Sequence, residues 1–382
     1  MQSVLAKKKL LLATGVIALL VGVAWTQRTP VLTRYYLREL AAADEEIRGP
    51  WVDRVVSLDV AAVPGLLEQL QNKDPTVCSN AEAALVALAQ RWGAEDARTW
   101  ALAADIEQAF SGLSPLGQIS GLQVMTAILQ QPGQTTWPVA ITRAAGDLLT
   151  ACRDRPEPRA AALVLAGVLL DRVPPGQWLD TCRALADKGL GDRFPRARLA
   201  AVQLVMRPAL QDEHELLARI APMLRDPSPA IRRAAIVALA AARDVVSEDE
   251  LLPLLHDGDI EIQSLCEAAL RSRGLSDGHL ELARLISDDS PRARIKVVER
   301  LGRVDDLDRS AWLRRLSQDA SPAVRAAAIR AAAENLQIDF SDRLREMAQH
   351  DPSETVRQNA VHYLRQGARA QTGPASERGG ER

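Results

Sequence analysis

Six segments of this chain can be laid over one another on a single central residue, and that self-similarity limits the fold more than any other feature. They are DPSPAIRRAAIVAL (226–239), DASPAVRAAAIRAA (319–332), DDSPRARIKVVERL (288–301), DPSETVRQNAVHYL (351–364), DGDIEIQSLCEAAL (257–270) and DRFPRARLAAVQLV (192–205). The aligned residues are Arg198, Arg232, Gln263, Arg294, Arg325 and Arg357, spaced 34, 31, 31, 31 and 32 apart. Six residues before each stands an Asp: Asp192, Asp226, Asp257, Asp288, Asp319 and Asp351. Three residues after each stands a small residue or Val: Ala201, Ala235, Cys266, Val297, Ala328 and Ala360. A repeat of this period signals stacked units, none of which buries its apolar face alone. Looser copies centred on Cys78, Gln118 and Arg159, at spacings of 40, 41 and then 39 to Arg198, bring the total to about nine.

Each unit reads as a helix pair. Ser228, Ser290 and Ser321 are N-cap candidates, each followed by a proline (Pro229, Pro291, Pro322) at the first helical position, where a missing N–H costs nothing. Apolar residues then recur at helical spacing, as in Ile231, Ala235 and Leu239, or Val324, Ala328 and Ala332. Upstream stripes mark the first helix of a pair: Leu216, Leu217, Ile220 and Leu224; Leu280, Leu282, Leu285 and Ile286; Trp312, Leu313 and Leu316. Composition agrees. Hydrophobic residues make up 47% of the chain but aromatics only 3%, so Ala and Leu carry the core, as suits close-packed helices.

The pattern D-x-S-P-x-V/I-R-x-x-A over residues 51–366 resembles the HEAT family, including the shorter HEAT-like repeats of phycobilisome-lyase-type proteins. The resemblance implies an all-α, right-handed α-solenoid (superhelix) of about nine antiparallel helix pairs. It also implies a ladder in which Asp226, Asp257, Asp288, Asp319 and Asp351 meet Arg198, Arg232, Arg294, Arg325 and Arg357 between adjacent repeats. Gln263 breaks the charge pattern in one rung.

At the N-terminus a basic flank (1–9, with Lys7, Lys8 and Lys9) precedes an uncharged apolar run over 10–26. As a helix the run is about 25 Å long, the short end of what spans a bilayer. Two readings stand: a transmembrane signal anchor, and a signal peptide cleaved near Ala24 with secretion of the rest. Trp25 directly after the small residue favours the anchor. The lysines then lie in the cytosol and the repeats are exoplasmic, periplasmic in a bacterium. Residues 27–50 read as a juxtamembrane helix ending near Gly49 and Pro50. Tyr35 and Tyr36 either pack on the first repeat or sit near headgroups. The Gly-, Ser- and charge-rich tail, 367–382, reads as disordered.

Little in the sequence points to chemistry. The His residues (214, 256, 279, 350, 362) form no zincin pattern, and no P-loop, G-x-S-x-G or G-x-G-x-x-G occurs. Asp257, Asp259 and Glu261 suggest calcium but lack EF-hand spacing and fall at a repeat turn. The tryptophans read as core or rim packing. Cys78, Cys152, Cys182 and Cys266 read as small buried hydrophobes, with a Cys152–Cys182 bridge open in an oxidising compartment. A net charge of −2 carries no nucleic-acid footprint.

The expectation is therefore a membrane-anchored scaffold or adaptor for protein partners, with no catalysis, cofactor, metal, nucleic acid or small-molecule substrate. Candidate partner-binding residues on the expected concave face are Arg233, Lys296, Arg300, Arg330, Gln358 and His362, a basic-leaning set suited to an acidic segment. The alternative, drawn from the resemblance, is a phycobilisome-lyase-like chromophore lyase or isomerase, which fits an anchored, exoplasmic domain poorly. HEAT-like DNA-lesion recognition fits neither the charge nor the anchor.

Overall fold

The computed structural model describes residues 30–371 apart from 133–136, 175, 177, 304–306 and 336–337. Every regular element among the described residues is a helix. The basic flank, the expected span over 10–26, the Ala24 cleavage site and residues 372–382 lie outside the described residues. Among the described residues no helix is long and apolar enough to cross a membrane.

The chain divides into two compact units, the first ending at Ile220 and the second beginning at Ala221. The first unit opens with α1 (residues 30–42) and α2 (Arg48–Val56). Four helix pairs follow: α3 (Val63–Gln69) with α4 (Pro75–Trp92), α5 (Ala97–Ala109) with α6 (Pro115–Leu129), α7 (Val139–Cys152) with α8 (Arg159–Arg172), and α9 (Leu179–Leu190) with α10 (Pro195–Val205). The unit ends in α11 (His214–Ile220). In the second unit α12 (Pro229–Leu239) follows a 3₁₀ turn. Next come α13 (Glu248–Leu251) with α14 (Ile260–Ser272), α15 (Asp277–Ile286) with α16 (Pro291–Arg300), α17 (Arg309–Leu316) with α18 (Pro322–Glu334), and α19 (Ser341–His350) with α20 (Glu354–Gln371).

The expected second helices of the repeats are all present, each starting within a few residues of its aligned Asp or Pro. They stack on one another: α4 on α6, α6 on α8 and α8 on α10 in the first unit; α12 on α14, α16 on α18 and α18 on α20 in the second. The small residue three after each central position packs a second helix onto its own first helix: a Cβ on Gly189 of α9 would lie 2.8 Å from Ala201 Cβ, and the Cys266 thiol donates to the Leu251 carbonyl of α13 at 3.2 Å. Ala201, Ala235, Cys266, Val297, Ala328 and Ala360 are all fully buried. The expected stripes on the first helices are buried or half-buried throughout. Pro253 removes an i→i−4 bond just after α13, so that helix is short and tightens into the 3₁₀ turn Leu252–His256.

Three rungs of the expected Asp–Arg ladder are present, and each does three things. Arg232 donates from Nε and Nη2 to both carboxylate oxygens of Asp257 at 2.8 Å, Arg294 grips Asp319 at 2.7 and 3.0 Å, and Arg325 grips Asp351 at 2.8 and 2.7 Å. The same guanidinium donates from Nη1 to the carbonyl of its own repeat's Asp: Arg232 to Asp226, Arg294 to Asp288, Arg325 to Asp319. The Asp also accepts the backbone N–H two residues on, as Asp226 does from Ser228 and Asp319 from Ser321. The first unit adds a rung the sequence reading did not name, Arg159 to Asp192.

Gln263 keeps only one of these bonds, Nε2 to the carbonyl of Asp257 at 2.7 Å. Its repeat is also held differently. His256 Nε2 lies 2.9 Å from the carbonyl of Arg284 and 3.1 Å from Ser287 Oγ, and α14 and α16 approach less closely than the other stacked second helices of this unit.

Three expectations need correction. Ser228, Ser290 and Ser321 occupy N-cap positions, but their hydroxyls accept nothing from the helix. The first helical residue is proline, and the Asp two residues earlier organises the turn instead. Second, the expected juxtamembrane helix does not run on to end near Gly49 and Pro50. Helix α1 ends near residue 42, Asp44 Oδ1 takes the N–H of Ile47, and α2 runs through both residues. Pro50 lies in the first turn, where its N–H would have no partner within the helix. Third, α20 continues past Gly367 to Gln371, because Ala, Arg and Gln are good helix formers and one Gly costs only about 1 kcal/mol. Cys152 and Cys182 are unpaired thiols, each fully buried, in keeping with their reading as small buried hydrophobes.

Candidate functional site

Along each second helix, the residues three before, one after and five after the central position share one face. In α6 these are Pro115, Ile119 and Gln123; in α8's repeat, Pro156, Ala160 and Val164; in α10, Pro195, Leu199 and Gln203. That face meets no first helix, and its residues are exposed or half-buried; Val164 is 47% exposed. Stacking α6, α8 and α10 brings the three faces side by side in a groove of about 1020 Å³.

The groove is mainly apolar. Ile119, Val164, Leu199 and Phe194 line it together with the small side chains of Ala160, Ala161 and Ala200. Phe194 is 43% exposed, with Arg193 4.5 Å from its ring centre. Three carboxamides, Gln123, Gln130 and Gln203, point to solvent, and Glu157 and Arg196 are the only charged lining residues.

The cause lies in the helices. Both α6 (PLGQISGLQVMTAIL) and α8 (RAAALVLAGVLLDR) carry apolar residues on every side rather than along one stripe. A helix apolar all round belongs in an interior. Here the first helices and the neighbouring second helices cover three sides, and nothing in the described chain covers the fourth.

The scaffold beneath the groove is closely fitted. A Cβ on Gly117, in the first turn of α6, would lie 1.8 Å from the Leu70 carbonyl oxygen. That oxygen also accepts the N–H and hydroxyl of Ser114, at 3.2 and 3.1 Å. A Cβ on Gly146 in α7 would meet the Trp178 ring at 2.4 Å. Neither contact was legible in the sequence, since the partner is distant in the chain.

The residues expected to bind a partner all fall in the second unit. Arg233, Arg330, Gln358 and His362 occupy the one-after and five-after positions and so share the outward face; Lys296 and Arg300 lie one residue further round. Two of the cations are already paired, Arg233 with Glu261 and Arg300 with Glu281. Gln358 donates to Glu354 at 3.0 Å, and the His362 ring packs on Tyr363. Lys296 and Arg330 are exposed, with no ion pair among the described residues. The basic surface read from the sequence is thus interleaved with acids.

Other candidates are accounted for by structure. Asp257 is held by Arg232, while Asp259 caps α14 by accepting the Glu261 N–H at 2.9 Å. Burial pushes the Cys152, Cys182 and Cys266 thiols up to about 12, leaving them inert at neutral pH. Trp92 donates to Asp59 at 2.6 Å and Trp100 to the Ala94 carbonyl at 2.9 Å. Tyr35 and Tyr36 pack against Trp51 of α2, ring centres 6.0 and 6.2 Å away, while Tyr35 stays half exposed.

Comparison with known proteins gives three results. No curated protein matches the chain. Among solved structures, the crystal structure of a Kap121p mutant aligns over 91% of this chain and 50% of its own at 12% identity and a TM-score of 0.34, so the chain spans half the length of that protein. The family model of HEAT repeats matches residues 280–365, which run from α15 into α20 and contain the ladder rungs Arg294–Asp319 and Arg325–Asp351.

Proposed function

We propose that this protein is a membrane-anchored, non-catalytic scaffold that holds a polypeptide partner in the groove over α6, α8 and α10. The observation that carries this reading is the uncovered fourth side of two helices that are apolar all round. Repeat proteins present binding surfaces along stacked helices, and this groove exposes the apolar side chains of Ile119, Val164, Phe194 and Leu199 on such a surface. The acids interleaved with Arg233 and Arg300 make the second unit the weaker candidate. The apolar run over 10–26 supplies the anchor, with Lys7, Lys8 and Lys9 on the cytosolic side and the repeats exoplasmic.

The test uses the full chain in its native membrane. A photo-crosslinking residue in place of Leu199 is expected to capture a protein partner, and Val164→Lys is expected to reduce that capture at least tenfold. Equal capture by the lysine variant would overturn the groove as the site. A reporter fused after Arg382 that is active only in the cytosol would overturn the exoplasmic placement.

A further inference from the structure

Helix α1 is fastened to the first repeat on one side and bare on the other. The Leu37 carbonyl accepts from Gln69 Nε2 of α3 at 2.7 Å, and buried Asn80 of α4 donates to the carbonyls of Leu40 and Ala43, both at 2.8 Å. The outward side carries Val31, Arg34, Tyr35, Arg38 and Ala42 at helical spacing, all exposed. Val31 is 61% exposed. Tyr35 meets Trp51 of α2 edge-on, and the exposed Arg54 guanidinium lies 4.2 Å from the centre of the Trp51 ring, so Arg54 extends the same patch.

The stripe itself holds no acid. Glu39 and Asp53 flank it, yet Arg34, Arg38 and Arg54 have no ion pair among the described residues. The acids Asp44, Glu45 and Glu46 are gathered in the turn beyond α1. Cations for lipid phosphates beside Tyr and Trp at headgroup level are the composition of a helix that lies in a membrane interface. Chain length agrees. Only Gln27, Arg28 and Thr29 separate the apolar run over 10–26 from α1, and they bridge at most about 14 Å. An anchored chain therefore brings the first turn of α1 to the headgroups, whatever course those residues take.

We infer, resting on the membrane anchor proposed above, that α1 lies along the bilayer surface with this stripe against it, and that Arg34, Arg38 and Arg54 bind anionic phospholipid headgroups. Because α1 is fastened to α3 and α4, this docking sets the orientation of the first unit on the membrane, which a tether alone leaves free.

The full chain in nanodiscs tests this, with a fluorophore on a single introduced cysteine, Val31→Cys or Ala42→Cys, and a nitroxide quencher on the lipid headgroups. The native cysteines are buried and escape labelling. The two labels stand about 16 Å apart along the helix axis. In discs of phosphatidylcholine with phosphatidylglycerol, both are expected to be quenched alike. In discs of phosphatidylcholine alone, quenching at position 42 is expected to fall at least about fivefold, the effect of a single cation near an anionic surface. The Arg34→Gln, Arg38→Gln, Arg54→Gln triple variant is expected to show the same loss in anionic discs, and unchanged thermal melting confirms that it folds.

Quenching confined to position 31 in every lipid would mean that α1 stands upright on its tether, and would overturn the inference. So would equal quenching at position 42 in neutral discs or in the triple variant. Release of the chain from its native membrane by alkaline carbonate would overturn the anchor and the inference with it. A chain that stays in the membrane but is quenched only at position 31 fails the inference alone, so the two readings are separable.

Discussion

Arg325 holds Asp351 through two parallel hydrogen bonds, from Nε and Nη2 to the two carboxylate oxygens, with only 8% and 4% of the two side chains open to solvent. Its Nη1 meanwhile donates to the carbonyls of Asp319 and Ala320, at 2.8 and 3.0 Å. One side chain thus closes its own repeat's turn and fastens the next. The cost of dehydrating the two charges offsets much of their attraction, so such a pair contributes orientation more than net stability.

Removing one partner leaves the other charged, buried and alone. Asp351→Ala is expected to destabilise the second unit by about 3–5 kcal/mol, whereas Arg325→Met combined with Asp351→Leu should cost much less. Hydrogen exchange of α18 and α20 measures both. A double variant as unstable as the single one would contradict this account.

Acid should loosen the ladder. Burial pushes the Asp351 carboxyl up, but the Arg325 guanidinium and the Ser353 N–H outweigh it, and the group titrates below the ordinary range. Asp319 follows the same balance with Arg294 and Ser321, and Asp257 is lowered chiefly by Arg232. A carboxyl lowered on folding contributes fully above its unfolded value of about 3.9, and that contribution is lost as pH falls through the folded value. Melting temperature should therefore drop steeply below about pH 4, and Asp351→Asn should flatten the drop. Glu82 has the opposite sign: burial raises it despite a bond from Ser120, so its ionisation opposes folding. Glu82→Gln is expected to leave the acid limb unchanged and to raise the melting temperature slightly at pH 7.

Gly117 is a steric requirement, and Gly258 is not. Gly117→Ala would place a methyl 1.8 Å from the Leu70 oxygen, a backbone atom that cannot swing aside. It should cost at least about 1–3 kcal/mol and disturb the α6 wall of the groove. Gly258→Ala meets nothing within 4 Å and should stay within about 0.5 kcal/mol of the parent. Urea denaturation of the pair decides, and comparable losses would refute the close-packing argument.

The rung missing at Gln263 can be rebuilt. Gln263→Arg retains the bond to the Asp257 carbonyl and adds a fork facing Asp288, the position that Asp319 and Asp351 hold toward Arg294 and Arg325. A gain of about 0.5–2 kcal/mol is expected, with slower hydrogen exchange in α14 and α16. An unchanged or lowered stability would mean that the His256 bridge to Arg284 and Ser287 already fulfils the role.

The sequence by itself determined the unit, its register and its buried face. Period, capping proline and apolar spacing are properties of near neighbours along the chain, and they placed α12, α14, α16, α18 and α20 and the inward positions of Ile231, Val324 and Ala328. The ladder was legible only through family resemblance, since an Arg and an Asp twenty-five residues apart reveal no geometry by themselves. Sequence reading put the candidate site on charged residues of the second unit, because charge is conspicuous and Arg233 and Arg300 cannot be seen paired until their helices are stacked. The signal it passed over was the all-round apolar character of α6 and α8. Only the tertiary structure decided which side of those helices stays bare, because coverage depends on how three helices far apart in the chain lie against their neighbours, and no local pattern carries that information.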